Sequence, residues 1–353
     1  GWLRLAELRV APTSRALTTG SQVETERRYF SIPSSLPGTD GTHYDPTLHG
    51  WDDMGRQRRV KEASGTIRRT VYDSTGRVLE HWVGTNDSSF AGGEASGTDN
   101  MVKTDDVAYD AGSAGGNGYV TKRTAYIQDS ATGKRETLFS NDLRGNALLV
   151  TNPTAPHIFN KYDNESRLIA SGSFSSTANI VAATDDPTSE TSNRLGLSQS
   201  FFDELGRAWK TQVYKINPSN GADQDNLQAV NWWDRMGRLA KVRGEQLTKT
   251  AHDRLGRVRH QYTLASDDDS TYANAVDNLT GDYVLTQQDM VYDTDTDNVI
   301  LSGRIDRFHS DLSGGNTGAL DSEADNLPLK YTATNVKGRI QITGSWYDDL
   351  DRI

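Results

Sequence analysis

The sequence predicts an all-β protein, built as an extended array of antiparallel β-hairpins that repeat about every 20 residues. Three observations support this prediction. A short motif of the form aromatic–Asp–x–x–Gly–Arg–apolar recurs along the chain. No long segment shows helical periodicity bounded by capping residues. The segments between the motifs alternate apolar with polar residues or consist of turn-forming residues, as do strands joined by tight turns.

The motif itself predicts a β-hairpin. It is clearest from Trp233 to Arg238 and is repeated from His252 to Arg257. The Asp side chain accepts hydrogen bonds from backbone N–H groups just ahead of it, and the Gly takes the positive-φ position that closes the turn. The aromatic residue before the turn and the apolar residue after it favour the two flanking strands. We therefore expect either a four-residue turn or a type I turn followed by a Gly bulge.

About ten copies of the motif occur, five of them clean, and their base period is near 20 residues. Asp52 and Asp73 of the first two copies lie 21 residues apart. Other copies are incomplete, since Asn146 stands at one Arg position and the copy at Tyr292 lacks the Gly. We predict a purely structural role for these residues. The motif residues are Trp51, Asp52, Gly55, Arg56, Tyr72, Asp73, Gly76, Arg77, Asp142, Gly145, Tyr162, Asp163, Arg167, Phe202, Asp203, Gly206, Arg207, Trp233, Asp234, Gly237, Arg238, His252, Asp253, Gly256, Arg257, Gly338, Arg339, Tyr347, Asp348 and Arg352.

The repeats divide the chain into two regions. Residues 1–45 are predicted to form an irregular, strand-rich lead-in, and residues 46–353 the hairpin array, which we expect to continue beyond residue 353 in a longer parent chain. A short helical turn is expected at 227–230 or 270–277. Long polar insertions are predicted at 84–118, 184–193, 217–226, 267–282 and 311–326.

Composition excludes several classes of function. Apolar residues make up 34% of the chain, which is lean for one packed core, yet seven Trp, 14 Tyr and eight Phe argue against disorder. The formal net charge of −10, without a local basic patch, argues against nucleic acid as a partner. No stretch is apolar and long enough for a transmembrane helix. The absence of Cys removes disulfides, thiolate catalysis and the usual structural zinc sites.

The pattern of alternation favours a single curved sheet, wet on both faces, over a sandwich with an apolar centre. Its cohesion would come from backbone ladders and cross-strand pairs. We expect the aromatic and Arg residues of the motif to stack from hairpin to hairpin, each pair contributing about 0.5–1 kcal/mol. We also expect the Asp to form charge-assisted bonds with the Arg of the same or the next repeat.

The motif resembles that of the RHS/YD-repeat family, Tyr-Asp-x-x-Gly-Arg. Tyr72 to Arg77 matches it fully, and Phe202, Trp233 and His252 replace the Tyr in otherwise good copies. The resemblance covers roughly residues 45–353 and implies a long β-sheet that spirals into a hollow shell or barrel wall. In bacterial members the shell encloses a toxic C-terminal domain, and related animal members are cell-surface adhesion proteins.

Two parts of the family pattern are absent from this sequence. The core-closing segment has an aspartyl self-cleavage site near Asp-Pro-x-Gly, but Asp45-Pro46 and Asp186-Pro187 lack the Gly at that spacing. No toxin domain is recognisable either. The resemblance therefore implies a stretch of shell wall without lid, protease or cargo.

Metal and ligand sites are weakly indicated at best, and we predict no cofactor. His43, Asp45, His49, Asp52 and Asp53 carry suitable ligand types, but a turn-rich loop explains them better. The most suggestive candidates for Ca²⁺ are Asp293, Asp295 and Asp297, whose alternation resembles the start of a calcium loop; the run 267–269 is weaker. The tandem register favours a decayed repeat. Exposed aromatics that would stack on sugars are Trp51, Trp82, Trp209 and Trp232, for which a structural ladder is the favoured interpretation.

No catalytic motif is recognisable, so we predict a protein without enzymatic activity. The first hypothesis is a structural wall segment of a large secreted bacterial protein that encapsulates a toxin or other cargo, with the rest of its own chain as partner. It would be cytoplasmic before export. The alternative is a cell-surface or matrix adhesion or filament module that binds like subunits, glycans or proteins through its loops. A glycosidase on a β-scaffold lacks a supporting pair of carboxylates.

Overall fold

The computed structural model describes residues 10–11, 22–88, 100–110, 118–127, 133–309, 317–320 and 337–348. Regular structure in these residues is almost entirely β, and the predicted array of antiparallel hairpins is confirmed. The elements are β1 (Val10–Ala11), β2 (Gln22–Val23), β3 (Thr25–Tyr29), β4 (Tyr44–Trp51), β5 (Gln57–Lys61), β6 (Ile67–Tyr72), β7 (Val78–Gly84), β8 (Val102–Tyr109), β9 (Val120–Tyr126), β10 (Lys134–Asn141), β11 (Ala147–Thr151), β12 (His157–Tyr162), β13 (Leu168–Phe174), β14 (Arg194–Phe202), β15 (Ala208–Ile216), β16 (Asp223–Trp233), β17 (Leu239–Arg243), β18 (Leu247–His252), β19 (Val258–Ser266), α1 (Tyr272–Asp277), β20 (Tyr283–Tyr292), β21 (Val299–Arg307) and β22 (Gly338–Gly344). None of the helical residues described forms a segment of the length and apolarity that a membrane crossing requires.

The chain forms two compact units. The first comprises Gly1–Asn160 with Phe174–Asp186, and the second comprises Lys161–Ser173 with Pro187–Ile353. In the first unit, each strand from β3 to β11 pairs antiparallel with the next strand along the chain. In the second unit, the strands from β14 to β22 do the same. Each unit is therefore built by local hairpin closure, one strand after another.

Each clean copy of the motif closes its hairpin with a type I turn and a Gly bulge, the second of the two predicted alternatives. In the Asp234 turn, the Asp234 N–H donates to the Arg238 carbonyl at 2.8 Å, and the Gly237 N–H donates to the Asp234 carbonyl at 3.0 Å. Asp234 Oδ1 accepts hydrogen bonds from the backbone N–H groups of Met236 and Arg238, at 2.9 and 2.8 Å. Gly237 has a φ of 80°. The Asp thus satisfies the donors of the turn, and the Gly reverses the chain.

A second irregularity follows each turn and was not predicted. Trp233 pairs with Leu239, but the preceding residue Trp232 pairs with Lys241, so that Ala240 is an extra residue on the returning strand. This β-bulge increases the local twist and redirects side chains at the end of the strand. The same shift occurs before the motif residues Trp51, Tyr72, Phe202, His252 and Tyr292. It also occurs before Tyr109 and Asn141, which end strands β8 and β10 at the position that an aromatic motif residue takes elsewhere.

Among the described residues, the buried apolar side chains form small clusters. In the second unit, a core of Tyr262, Leu264, Val284, Ile305 and Leu320 is buried.

In the first unit, Ile67, Trp82 and Met101 form the corresponding cluster. Both clusters are small for units of this length, as the lean apolar content predicts. Much of the cohesion must therefore come from backbone ladders and polar contacts between hairpins.

Some predicted insertions contain regular structure. Strand β8 lies within 84–118, strand β16 begins within 217–226, and helix α1 lies within 267–282. The helix agrees with one of the two predicted helical turns, whereas residues 227–230 belong to β16 and that alternative is wrong. The sequence does not predict strand β8, because its charged residues obscure the alternation of apolar and polar positions. Its pairing with β7 and β9 determines its conformation. Most of 311–326 lies outside the described residues.

The turn geometry leads to a test in which two adjacent residues are compared. Gly237→Ala should lower the free energy of unfolding by about 1–2 kcal/mol, because a Cβ is strained at positive φ. Space is not the cause, since the nearest atom to a Cβ there would be 3.7 Å away. The control Met236→Ala changes an exposed side chain in the same turn and should cost less than about 0.5 kcal/mol. Equal losses in chemical denaturation would contradict the assigned turn.

Candidate functional site

The repeated turn is the most developed polar arrangement in the described residues. In six turns, the Arg side chain folds back on the Asp of its own motif. The Arg Nε donates to Asp Oδ2 at 2.6–2.7 Å in the pairs Arg56–Asp52, Arg77–Asp73, Arg167–Asp163, Arg207–Asp203, Arg238–Asp234 and Arg257–Asp253. These charge-assisted bonds orient the guanidinium, which leaves its other nitrogens free to contact the next repeat.

The same guanidinium also bridges to the next turn. Arg56 lies over the Tyr72 ring, 4.6 Å from its centroid, and its Nη1 donates to the Asp73 carbonyl at 3.1 Å. Arg238 Nη1 donates to the Asp253 carbonyl at 3.0 Å in the same way. Comparable stacking joins Arg77 to Tyr109, Arg167 to Phe202, Arg207 to Trp233 and Arg257 to Tyr292, at 4.3–5.6 Å. We call this series of contacts the arginine ladder.

The motif aromatics contribute a further bond through their polar atoms. The Tyr72 hydroxyl donates to the Gln57 carbonyl at 3.0 Å, and the Tyr292 hydroxyl donates to the Val258 carbonyl at 2.7 Å. Each accepting carbonyl belongs to the residue that follows the Arg of the preceding turn. The β-bulge interrupts the regular ladder there, and the aromatic residue supplies a donor. Tyr109 and Trp233 make the same bond to Val78 and Ala208, each of which follows an Arg. Trp51, Tyr347 and the amide of Asn141 make a similar bond to strand carbonyls that follow other residues, those of Val23, Val299 and Val120.

Incomplete copies keep the turn with other residues. Asn146 replaces the Arg and donates through Nδ2 to Asp142 Oδ2 at 2.8 Å, while Gly145 keeps a φ of 89°. Ser166 replaces the Gly in the Asp163 turn and takes a φ of 61°. Tyr162 ends strand β12 immediately before that turn.

The weakest copies differ more. Gly338 and Arg339 lie in strand β22, where they pair with Arg307 and Asp306, so this copy is not a turn and that assignment is wrong. Asp348 is described, but the residues that would follow it in a turn, among them Arg352, lie outside the described residues.

The predicted calcium candidates form a turn. Asp293 Oδ1 accepts the N–H groups of Asp295 and Thr296, at 2.8 and 3.0 Å, which repeats the Asp role of the motif. Asp297 takes the positive-φ position and its carboxylate pairs with Arg257. The Asp295 carboxylate also accepts the Thr294 hydroxyl, at 3.4 Å. All three carboxylates thus have partners among the described residues, and the segment keeps a turn at the position where the sequence analysis favours a decayed repeat.

The His43–Asp53 group is also engaged locally. His43 Nδ1 accepts the Thr39 N–H at 3.0 Å, and the His49 ring bonds to Gln57 at 2.9 Å. Asp52 belongs to the first turn of the arginine ladder. These partners agree with the interpretation of a turn-rich loop.

The turn Asp residues have lowered pKa values. Partial burial alone would raise the pKa of Asp234, but hydrogen bonds from the backbone and the guanidinium of Arg238 outweigh it and hold the pKa below its usual value. For Asp203, the backbone hydrogen bond from Arg207 is the largest cause of the lowered pKa. The same direction holds for Asp52, Asp73, Asp163 and Asp253. The carboxylates are therefore ionised partners of the turn.

A second polar site was not predicted. Lys241 and Lys249 face each other across β17 and β18, where like charges repel. Three buried carboxylates, those of Asp267, Asp269 and Asp282, surround the two ammonium groups. We call these five residues the Lys–Asp cluster. The sequence signal was two Lys at paired positions of neighbouring strands, followed by the Asp run of 267–269, which was considered only for calcium.

A cleft of about 330 Å³ lies in the second unit. Its walls include Phe201 and Trp209, whose ring centroids are 6.0 Å apart, together with the polar residues Thr188 and Gln199. Trp209 is the extra residue of a bulge, not a motif aromatic, and it is half-exposed. The favoured sequence interpretation, a ladder position for Trp209, therefore does not match its place in the fold.

No protein-family model matches the chain. The curated proteins contain no match either. Among solved structures, the crystal structure of TcdB2-TccC3-Cdc42 matches with a TM-score of 0.26 and 13% identity, over 80% of this chain and 16% of that chain. The TcdB2-TccC3 crystal structure gives 0.27 and 11%, over 82% and 17%. The Tc holotoxin pore of Photorhabdus luminescens gives 0.26 and 12%, over 82% and 17%. This chain thus spans less than a fifth of each of these three chains.

The arginine ladder predicts that Arg and Lys are not interchangeable in the turns. Arg56→Lys should lower the free energy of unfolding by about 1–2 kcal/mol, because Lys keeps the charge but loses the planar fork that contacts both turns. The control Arg68→Lys changes an exposed Arg–Glu pair and should cost less than about 0.5 kcal/mol. Urea unfolding measures the free energy of unfolding of both variants. An equal loss for the two would contradict a stabilising role of the arginine ladder.

Acid should destabilise the fold. The turn Asp residues have lower pKa values than the roughly 3.9 of Asp in an unfolded chain. Their contribution is therefore fully present above that pH and is lost as the pH falls through the folded-state pKa. We expect the free energy of unfolding to change little from about pH 7 to 5 and to fall below about pH 4.

Urea unfolding at a series of pH values measures this dependence. Asp52→Asn should make the acid limb shallower, whereas Asp53→Asn in the neighbouring position should leave the slope as in the unmodified protein. An unchanged slope for Asp52→Asn would show that the turn carboxylates do not cause the acid sensitivity.

Proposed function

We propose that this chain is a structural, non-catalytic wall segment of a large secreted bacterial protein of the RHS/YD-repeat kind, which encloses a C-terminal toxin or other cargo. The arginine ladder is the observation that carries the proposal. It joins the Asp52 turn to the Asp73 turn through the Arg, the aromatic ring and two backbone carbonyls, and the stacking of Arg on an aromatic ring repeats at four further turns. A hairpin array stabilised along its turns does not need a filled interior.

The small apolar clusters support the same proposal. A wall around an enclosed space has one face toward the cargo and one toward solvent, so few of its side chains are packed on all sides. The described residues fit that pattern, since most strand positions are only partly buried. In this proposal the partner is the rest of the same chain, which includes further repeats, a closing segment and the cargo. Export places the protein outside the cell.

A second candidate is a cell-surface or matrix module that binds carbohydrate. The cleft between Phe201 and Trp209 favours it, because aromatic faces beside hydroxyl and amide groups suit the apolar and polar sides of a sugar ring. In that case the same array carries a binding surface and encloses nothing.

Electron microscopy of the protein encoded by the complete reading frame separates the two candidates. The wall proposal predicts closed hollow particles with density inside them, and protection of the internal domain from added protease. Open or extended particles with no internal density would overturn encapsulation and favour the binding module. Destabilised variants of the arginine ladder, such as Arg56→Lys, should make the internal domain more accessible to protease, whereas Arg68→Lys should not.

A further inference from the structure

The Lys–Asp cluster places an amine against a carboxyl group in a buried setting. Lys249 Nζ lies 2.5 Å from Asp282 Oδ2 and 2.8 Å from Asp269 Oδ2. The exposed fractions of the three side chains are 5% for Lys249, 0% for Asp282 and 2% for Asp269. Solvent therefore has little access to the Lys249 ammonium and to the two carboxyl groups.

Asp282 differs from Asp267 in the direction of its pKa shift. Burial raises the pKa of Asp282, although Lys249 acts in the opposite direction. Asp282 Oδ1, like Asp269 Oδ1, is buried and accepts no hydrogen bond from the described residues. Both features favour the neutral acid, whose carbon is electrophilic, because an isolated buried carboxylate is costly.

Lys249 is surrounded by acceptors that orient its nitrogen. Besides the two carboxylates, the carbonyls of Asn274 and Asn278 lie 3.1 and 2.9 Å from Nζ. Helix α1 therefore holds the amine in place from one side while Asp282 faces it from another. Positioning of this kind converts a bimolecular condensation into an intramolecular one.

We propose that Lys249 and Asp282 condense to an intramolecular amide cross-link, with Asp269 as the group that takes up and returns the proton. Asp269 removes a proton from the Lys249 ammonium, and the neutral amine attacks Cγ of protonated Asp282. The bond from Nζ to Cγ forms, and the bond from Cγ to one carboxyl oxygen breaks. That oxygen leaves as water with its own proton and with the proton that Asp269 took from the ammonium. The nitrogen gives up a second proton as the amide forms, and Asp269 accepts it and ends as a neutral acid. The net change is the loss of one water from the chain, with no oxidation or reduction.

The other Lys–Asp pairs of the cluster do not place an amine beside a neutral carboxyl group. Asp267 is paired with both Lys241 and Arg243, and burial alone would raise its pKa, but the hydrogen bonds and charges of the two cations lower it. It is therefore an ionised carboxylate, which is a poor electrophile. Lys241 also contacts Asp269, the residue assigned here to proton transfer. Charge pairing in the Lys241 half of the cluster leaves Lys249 and Asp282 as the reacting pair.

The same carboxylates do not require a metal ion. Asp268, Asp269 and Asp282 offer oxygen atoms within 4.8 Å of one another, but the ammonium of Lys249 already contacts two of them. The cross-link removes one buried ion pair and leaves one amide N–H for the carbonyls of α1, which lowers the cost of burial. It would join strand β18 to the start of β20, across β19, in a chain that has no Cys for a disulfide.

Mass spectrometry of the intact, folded 353-residue protein tests the proposal. The mass should be lower than the sequence mass by one water, and a protease digest should contain a branched peptide that joins Lys249 to Asp282. A folded protein with the full sequence mass and no branched peptide would overturn the proposal. A branch from Lys241 would overturn the assignment of the reacting pair.

Variants separate the roles of the three residues. Lys249→Arg keeps the positive charge and should restore the full sequence mass, and Asp269→Asn should leave most of the protein uncross-linked. The control Lys103→Arg alters a Lys–Glu pair of similar length in the first unit, 2.7 Å, and should keep the loss of one water. The intact mass and the peptide digest of the unmodified protein test the proposal even where a variant fails to fold.

Discussion

The shared arginine is the interaction on which the repeated structure depends. Its Nε is held by the Asp of its own turn, and its Nη1 and planar face contact the next turn. A surface cation–π pair or ion pair contributes little when its side chain is mobile. Here each contact restricts the side chain for the others, so that the turn and its neighbour are joined by one rigid group. Repetition of the contact along a unit then links hairpin to hairpin.

The lean core makes such links necessary. The buried apolar clusters of the two units contain only a few side chains each. Polar groups take over part of their role, in the arginine ladder and in the Lys–Asp cluster, where five charged side chains gather beneath α1. Buried charges of this kind are costly unless they are paired, so their arrangement is more constrained than apolar packing would be.

The incomplete repeats show which features of the motif are physical requirements. Ser166 and Asp297 take the left-handed conformation that Gly adopts elsewhere, and Asn146 bonds to Asp142 as an Arg would. Asn141 replaces the aromatic hydroxyl with an amide that reaches the same kind of carbonyl. These copies preserve a residue with positive φ at the Gly position, and a hydrogen-bond donor at the Arg position and at the aromatic position. The Asp acceptor is common to all of these copies, since it satisfies the donors of the turn.

The sequence by itself determined the hairpin, limited its turn to two types and predicted the contact between Arg and the next aromatic, because these depend on residues within one repeat or at a fixed spacing. It did not reveal the β-bulge, the strand β8 or the strand position of Arg339, since register is set by pairing with neighbours. Only the tertiary structure brought Lys249, Asp269 and Asp282 together. They come from three separate segments, and no local pattern encodes a distance between side chains that meet through folding.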